Sequence, residues 1–132
     1  MELKVTSMVA SVPVHVVQVN GNIDSASYES FQAEVGGLLE RGARRILVDL
    51  THCPYVSSAG LRALQTLFNQ LRALDPDVSD EEMNRGIRTG TYKSPHIKVL
   101  NLSKEARTAF EMAGFDMFIE EHTDLKTALA SF

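Results

Sequence analysis

The chain has one cysteine, Cys53, among 132 residues. A lone thiol closes no internal disulfide, so the fold has no covalent staple, and this usage suits a reducing compartment such as the cytoplasm. Charge of one sign is scarce as well. Lys and Arg number 13 against 17 Asp and Glu, a net charge of −4, which gives no electrostatic footprint for DNA or RNA. Apolar runs extend only a few residues, far short of the roughly 20 that span a bilayer. Met1-Glu2-Leu3-Lys4 lacks the basic-then-apolar pattern of a secretory signal. The expectation is a soluble cytoplasmic protein without membrane insertion.

Catalytic signatures are also missing. No serine lies in Gly-x-Ser-x-Gly, and no phosphate-cradling glycine loop ends in Lys-Ser or Lys-Thr. His15, His52, His96 and His122 are scattered, and His52-Cys53 supplies only half of the four ligands a zinc ion wants. Cys53 reads as a small loop hydrophobe rather than a nucleophile. Glu120-Glu121 and Asp80-Glu81-Glu82 read as solvated charge rather than acid and base pairs. The expectation is a protein that is not an enzyme and holds neither metal nor cofactor.

What is present suits one core: 44% of residues are hydrophobic and 23% charged. Residues 2–9 and 12–20 read as two strands, the second dense in valine at 12, 14, 16, 17 and 19. Asn20-Gly21-Asn22 marks a turn. The period then changes, and Tyr28, Phe31, Val35 and Leu38 fall at helical spacing. Asp24 or Ser25 is placed to cap that helix and Gly42 to end it. Gly36-Gly37 inside it costs about 1 kcal/mol per glycine relative to alanine, which close packing of another element would explain. Residues 45–50 read as a buried central strand. A loop over 51–56 leads to a second helix from Ser58 to about Leu74. Its inner stripe is Leu61, Leu64, Phe68 and Leu71, with Arg62, Gln65, Asn69 and Arg72 on the other side.

Residues 75–94 are polar and aperiodic, the pattern of a long surface loop. Residues 96–102 read as a strand. Ser103 caps a third helix with Ala106, Phe110 and Ala113 inward and Gly114 at its end. Residues 115–120 read as a last strand, and 123–131 as a terminal helix with Leu125 and Leu129 inward. The order β-β-α-β-α-β-α-β-α, with about four helices, predicts one α/β domain over 1–132. Its sheet is mixed and mostly parallel, and 75–94 is a surface-loop insertion.

The informative stretch is Asp49-Leu50-Thr51-His52-Cys53-Pro54-Tyr55-Val56-Ser57-Ser58-Ala59-Gly60-Leu61. A buried strand ends, a loop turns, and two serines sit where a helix begins. That helix end offers unpaired N–H groups and a partial positive charge, both of which stabilise an attached phosphate. Gly60 lets backbone and a bulky partner come close. The plainer reading is that Ser57 or Ser58 simply caps the helix.

This stretch resembles the STAS family, of the anti-sigma-factor antagonist type. Members there carry a strand ending in Asp-Leu, a short loop, then Asp-Ser-Ser-Gly-Leu. The matching residues are Asp49-Leu50 and Ser57-Ser58-Ala59-Gly60-Leu61. The family's Gly-x-Leu-Asp turn matches Gly21-Asn22-Ile23-Asp24. Ala106, Phe110, Met112-Ala113-Gly114 and Phe115 resemble its third helix, the stop and the following strand. The resemblance implies that Ser58 accepts a phosphate, with Ser57 as the alternative, and that Asp24 lies beside that loop. It implies a partner surface of Asp24, Val56, Ser57, Ser58, Ala59, Gly60, Arg62, Gln65 and Asn69. The partner it implies is an anti-sigma factor that is also a serine kinase. Docking would release a sigma factor, and phosphorylation would end it. Two positions depart from the pattern: Ser57 stands where the family has aspartate, and Ala59 where it has serine. The 75–94 insertion follows the helix that borders the partner surface. A weak homodimer is left open. The competing expectation is a STAS scaffold in a stress-sensing complex, or an accessory subunit of a lipid or anion transporter.

Overall fold

Valine-rich residues place the first two strands side by side. β1 (Glu2–Val9) and β2 (Pro13–Asn20) form an antiparallel hairpin with unbroken register from Glu2 opposite Asn20 to Val9 opposite Pro13. The computed structural model describes residues 1–132. β3 (Ile46–His52) and β4 (Ile97–Leu100) continue the sheet in parallel, and the two-residue β5 (Glu121–His122) closes it. The strand order is β1-β2-β3-β4-β5.

Alternation along the strands sorts the side chains onto two faces. Val17, Val19, Ile46, Val48, Leu50, Ile97 and Val99 form the larger core with α1 (Tyr28–Glu40) and α2 (Ser58–Leu74). Val14, Val16, Leu47 and Leu100 form a smaller one on the opposite face, under Ala128 of the terminal helix. On α2 the expected stripe of Leu61, Leu64, Phe68 and Leu71 is buried, joined by Leu67. Gly42, at φ +103°, ends α1: its N–H donates to Leu39 and that of Ala43 to Leu38. No helix is long and apolar enough to cross a membrane.

Several expectations need correction. The 75–94 segment is not a bare loop, for it holds α3 (Asp80–Thr89). The Ser79 hydroxyl caps that helix by accepting from the Glu82 N–H, and Gly90 ends it at φ +75°. Val78, Met83 and Ile87 pack against the main core. Arg72 does not simply face solvent: its guanidinium donates to Asp77, Asp80 and the Val78 carbonyl, strapping the segment to α2. Residues 115–120 are not a strand. After α4 (Lys104–Met112) comes a 3-10 turn, Phe115–Met117, which tucks Phe115 against Phe110 and Phe118. Ala113 is exposed at the end of α4. In α5 (Leu125–Ala130) Ala128 is buried and Leu129 packs against the smaller core as expected, while Leu125 is exposed. The helices therefore number five.

Two more expectations fail for packing reasons. A Cβ at Gly36 would meet nothing within 4 Å, and one at Gly37 only the Arg41 guanidinium at 3.4 Å. No other element packs there. Glu120 and Glu121 are not free surface charge: Glu120 accepts from the buried Lys98 at 2.9 Å, and Glu121 pairs with Arg107.

Candidate functional site

The loop between β3 and α2 is fastened from three sides. Its central tie is a parallel bridge between Ile23 and Val56. The Ile23 N–H donates to the Tyr55 carbonyl at 3.1 Å, and the Ser57 N–H donates to the Ile23 carbonyl at 2.8 Å. Further back the Gly21 N–H donates to the His52 carbonyl at 3.0 Å. On the opposite side the Ser103 hydroxyl, which also caps α4, donates to the Pro54 carbonyl at 2.7 Å. At the strand end the Asp49 carboxylate accepts from the Thr51 N–H, and Asn101 donates to the Thr51 hydroxyl. Asn101 sits at φ +57°, a conformation asparagine tolerates better than most residues. The bracing by Asn101 and Ser103 was not anticipated from the sequence. Its signal is a polar Asn-Leu-Ser run immediately after a buried strand.

The two serines then take different positions. Ser57 is the N-cap of α2, with extended backbone, and its hydroxyl accepts from the Gly60 N–H at 3.3 Å. Ser58 is the first residue of the helix, and it is exposed. The positive end of a 17-residue helix dipole lies directly behind its side chain. The bland reading of the sequence is therefore correct for Ser57 and leaves Ser58 without that task.

The remaining residues of the expected surface separate by burial. Arg62 and Asn69 are exposed on the outer face of α2, and the half-buried Gln65 donates to Asn69 at 3.3 Å. Val56, Ala59 and Gly60 are buried. They pack within the protein and position the loop. At Gly60 a Cβ would lie 2.7 Å from the Ile23 carbonyl oxygen and 2.8 Å from Val56 Cγ1. The glycine is thus demanded by contact within the protein. Asp24 is half-buried beside the bridge. Its carboxylate accepts from the Ala26 N–H at 3.0 Å and the Ser27 hydroxyl at 3.2 Å, so it shapes the turn before α1, whose N-cap is Ser27. Tyr55, absent from the expected surface, is 48% exposed just before Val56.

Cys53 is buried in the main core, and its thiol donates to the Tyr55 carbonyl. Burial pushes the thiol up from its ordinary range, against smaller opposing contributions from Ile23 and Tyr55 backbone groups. Such a thiol is a poor nucleophile. The largest surface groove, about 550 Å³, is not at Ser58. It lies between α1 and α2, bordered by Tyr28, Glu29, Gln32, Gly36, Glu40 and Gln70. Ser58 lines none of the four surface grooves.

Comparison with known proteins bears on this geometry. The family model described as STAS domain matches residues 6–78. BtrV of Bordetella bronchiseptica, whose name assigns it provisionally as an anti-sigma factor antagonist, is 28% identical over 114 residues, covering 86% of this chain and 82% of BtrV. Among solved structures, the anti-sigma factor antagonist SpoIIAA in its unphosphorylated form superposes with a TM-score of 0.67 at 16% identity, covering 96% of this chain and 92% of that one. An anti-sigma factor antagonist from Mycobacterium paratuberculosis gives 0.66 at 18% identity, covering 98% and 93%. The phosphorylated form of SpoIIAA from Bacillus gives 0.59 at 15% identity, covering 94% and 96%.

Proposed function

The chain belongs to the STAS domain family, and from that premise we propose that it is an anti-sigma-factor antagonist switched off by phosphorylation of Ser58. In its unmodified state it docks on an anti-sigma factor through the Ser58 rim and the outer face of α2, with Arg62, Gln65 and Asn69 in contact. Docking releases a sigma factor. The anti-sigma factor is also a serine kinase, so docking delivers the hydroxyl to its ATP. The γ-phosphoryl group passes to Ser58 Oγ as its bond to ADP breaks, and the hydroxyl proton leaves to a base on the kinase. The protein acts in the cytoplasm by binding, not by catalysis of its own.

The observation that carries this reading is the division of labour between the serines. Ser57 holds the helix end, and Ser58 stands exposed on it. Aspartate and serine cap helices about equally well. Ser57 therefore keeps the structural part of the family's aspartate and gives up only its charge. A phosphate on Ser58 adds about −1.5 to −2 charges. In the free protein it stays hydrated at the positive helix end. Inside a formed interface it is desolvated and lies near Asp24, at a cost of several kcal/mol, which is a thousandfold or more in affinity.

The test pairs the protein with the anti-sigma kinase of its own genome and ATP, and maps the modified residue by mass spectrometry. Modification at Ser58 that persists in Ser57→Ala and vanishes in Ser58→Ala is expected. Ser58→Asp should bind the unloaded kinase at least a hundredfold more weakly than wild type. A Ser58→Asp protein with wild-type affinity would overturn the electrostatic account.

A further inference from the structure

The sheet has two edges, and they differ. β5 is two residues long, whereas β1 has eight and pairs with β2 alone. The outer row of β1 backbone groups therefore faces no strand. Soluble proteins usually blunt such an edge with charge, proline, a bulge or brevity. From Val5 to Val9 the sequence Val-Thr-Ser-Met-Val has no charge and no proline, and its register with β2 is unbroken. Val5 is 41% exposed and Val9 77% exposed, on the same face of the strand.

We propose that β1 is the contact surface for a second copy of this chain. Two β1 strands pair antiparallel across a twofold axis and join the sheets, five strands from each copy, into one. The choice of a second copy rests on self-complementarity. Residues opposite one another in an antiparallel pair share a face, so the axis passes through a residue. With the axis at Ser7, Val5 lies opposite Val9 of the second copy, and Val9 opposite its Val5. Thr6 then lies opposite Met8. Lys4 falls opposite Ala10 and Glu2 opposite Val12, so no like charges meet. Branched cross-strand pairs of this kind stabilise a sheet. An axis at Val5 brings the two Lys4 side chains into diagonal reach. An axis at Leu3 pairs Glu2 with Lys4 but leaves Val9 outside the contact.

The surface is independent of the proposed switch. Ser58 follows β3, two strands in from β1, so pairing at the edge leaves the serine of each copy open. A strand edge alone buries less than the roughly 1,200 Å² of a stable interface. The association is therefore weak and depends on concentration.

Sedimentation equilibrium of the whole chain from micromolar to millimolar concentration tests this. A monomer–dimer equilibrium is expected, with Val5→Lys and Val9→Lys each raising the dimer Kd at least tenfold while thermal melts stay those of wild type. The register has its own readout. Opposed Cα atoms in an antiparallel pair are about 4.5–5.5 Å apart, within reach of a disulfide. Ser7→Cys should form a linked dimer on mild oxidation, whereas Lys4→Cys should not. The buried Cys53 does not compete. A monomer at every concentration would refute the proposal, as would a dimer unaffected by both lysine variants. Efficient linking through Lys4→Cys instead of Ser7→Cys would refute the register and the self-complementarity on which it stands.

Discussion

Ser57 and Ser58 adjoin in sequence, yet substitution should separate them cleanly. Ser57→Ala removes the acceptor for the Gly60 N–H and should cost about 1 kcal/mol of stability by urea denaturation, while Ser58 remains a substrate. Ser57→Asp should restore the stability. Ser58→Ala should leave stability within about 0.5 kcal/mol of wild type, as exposed positions do, and abolish phosphorylation. The glycines make a second contrast. Gly36→Ala meets open space and should stabilise α1 by about 1 kcal/mol. Gly60→Ala drives a methyl group into the Ile23 carbonyl and Val56 and should destabilise by about 1–3 kcal/mol. Equal effects in equilibrium unfolding would contradict both contact assignments. At this scale the sequence displayed the serines as a pair and left open which one caps the helix. Burial of the Gly60 backbone against Ile23 joins residues far apart in the chain, and no local pattern carries it.

At the scale of elements, β2 was legible from its density of valine, β3 from a near-continuous apolar run that suits a strand buried on both faces, and α2 from apolar residues at helical period. The α3 segment was not. Its inward residues Val78, Met83 and Ile87 are few among polar neighbours, and Gly86 lowers helix propensity in the middle. What holds it is tertiary. Arg72 grips Asp77 and Asp80, the Tyr92 hydroxyl donates to Asp77 at 2.8 Å, and Gly86 permits the close approach of Tyr92. The Tyr92 ring in turn stands edge-on to Phe68 at 6.4 Å. Tyr92→Phe, which removes one bond to a half-shielded carboxylate, should cost about 1 kcal/mol. Replacing residues 77–92 by a short linker should lower the melting temperature, because it uncovers the Phe68 side of the core. An unchanged melt would mean the segment is an appendage. Residues 115–120 misled for a different reason. Phe115, Phe118 and Ile119 are spaced as on a helical turn, not in strand alternation, so the period was available and pointed away from a strand.

In the whole molecule, carboxylates join parts of the chain that the sheet alone does not. Asp75 at the end of α2 reaches Arg45 before β3 and His96 before β4. The Arg45 guanidinium holds Asp75 below its ordinary range, with His96 adding to the effect against some desolvation. Burial pushes Glu120 up, but bonds from Lys98 and His122 outweigh it and leave the group lowered. Asp77 is lowered likewise, since the Tyr92 hydroxyl, nearby backbone N–H groups and Arg72 together overcome its desolvation. A carboxylate depressed on folding binds fewer protons than in the unfolded chain. Its contribution is complete above the ordinary carboxylate range near 4 and is lost as pH falls through the depressed value. Urea midpoints should therefore be level from neutral pH down to about 5 and fall steadily below about 4. Lys98→Met, by removing the principal partner of Glu120, should flatten part of that decline. An unchanged acid limb would show that Glu120 contributes nothing to it.

The bridge between Ile23 and Val56 is bonded through main-chain atoms and rooted by two side chains buried in the core. Under the proposed function, substitutions on the exposed rim would retune the choice of partner while the anchored hydroxyl kept its place.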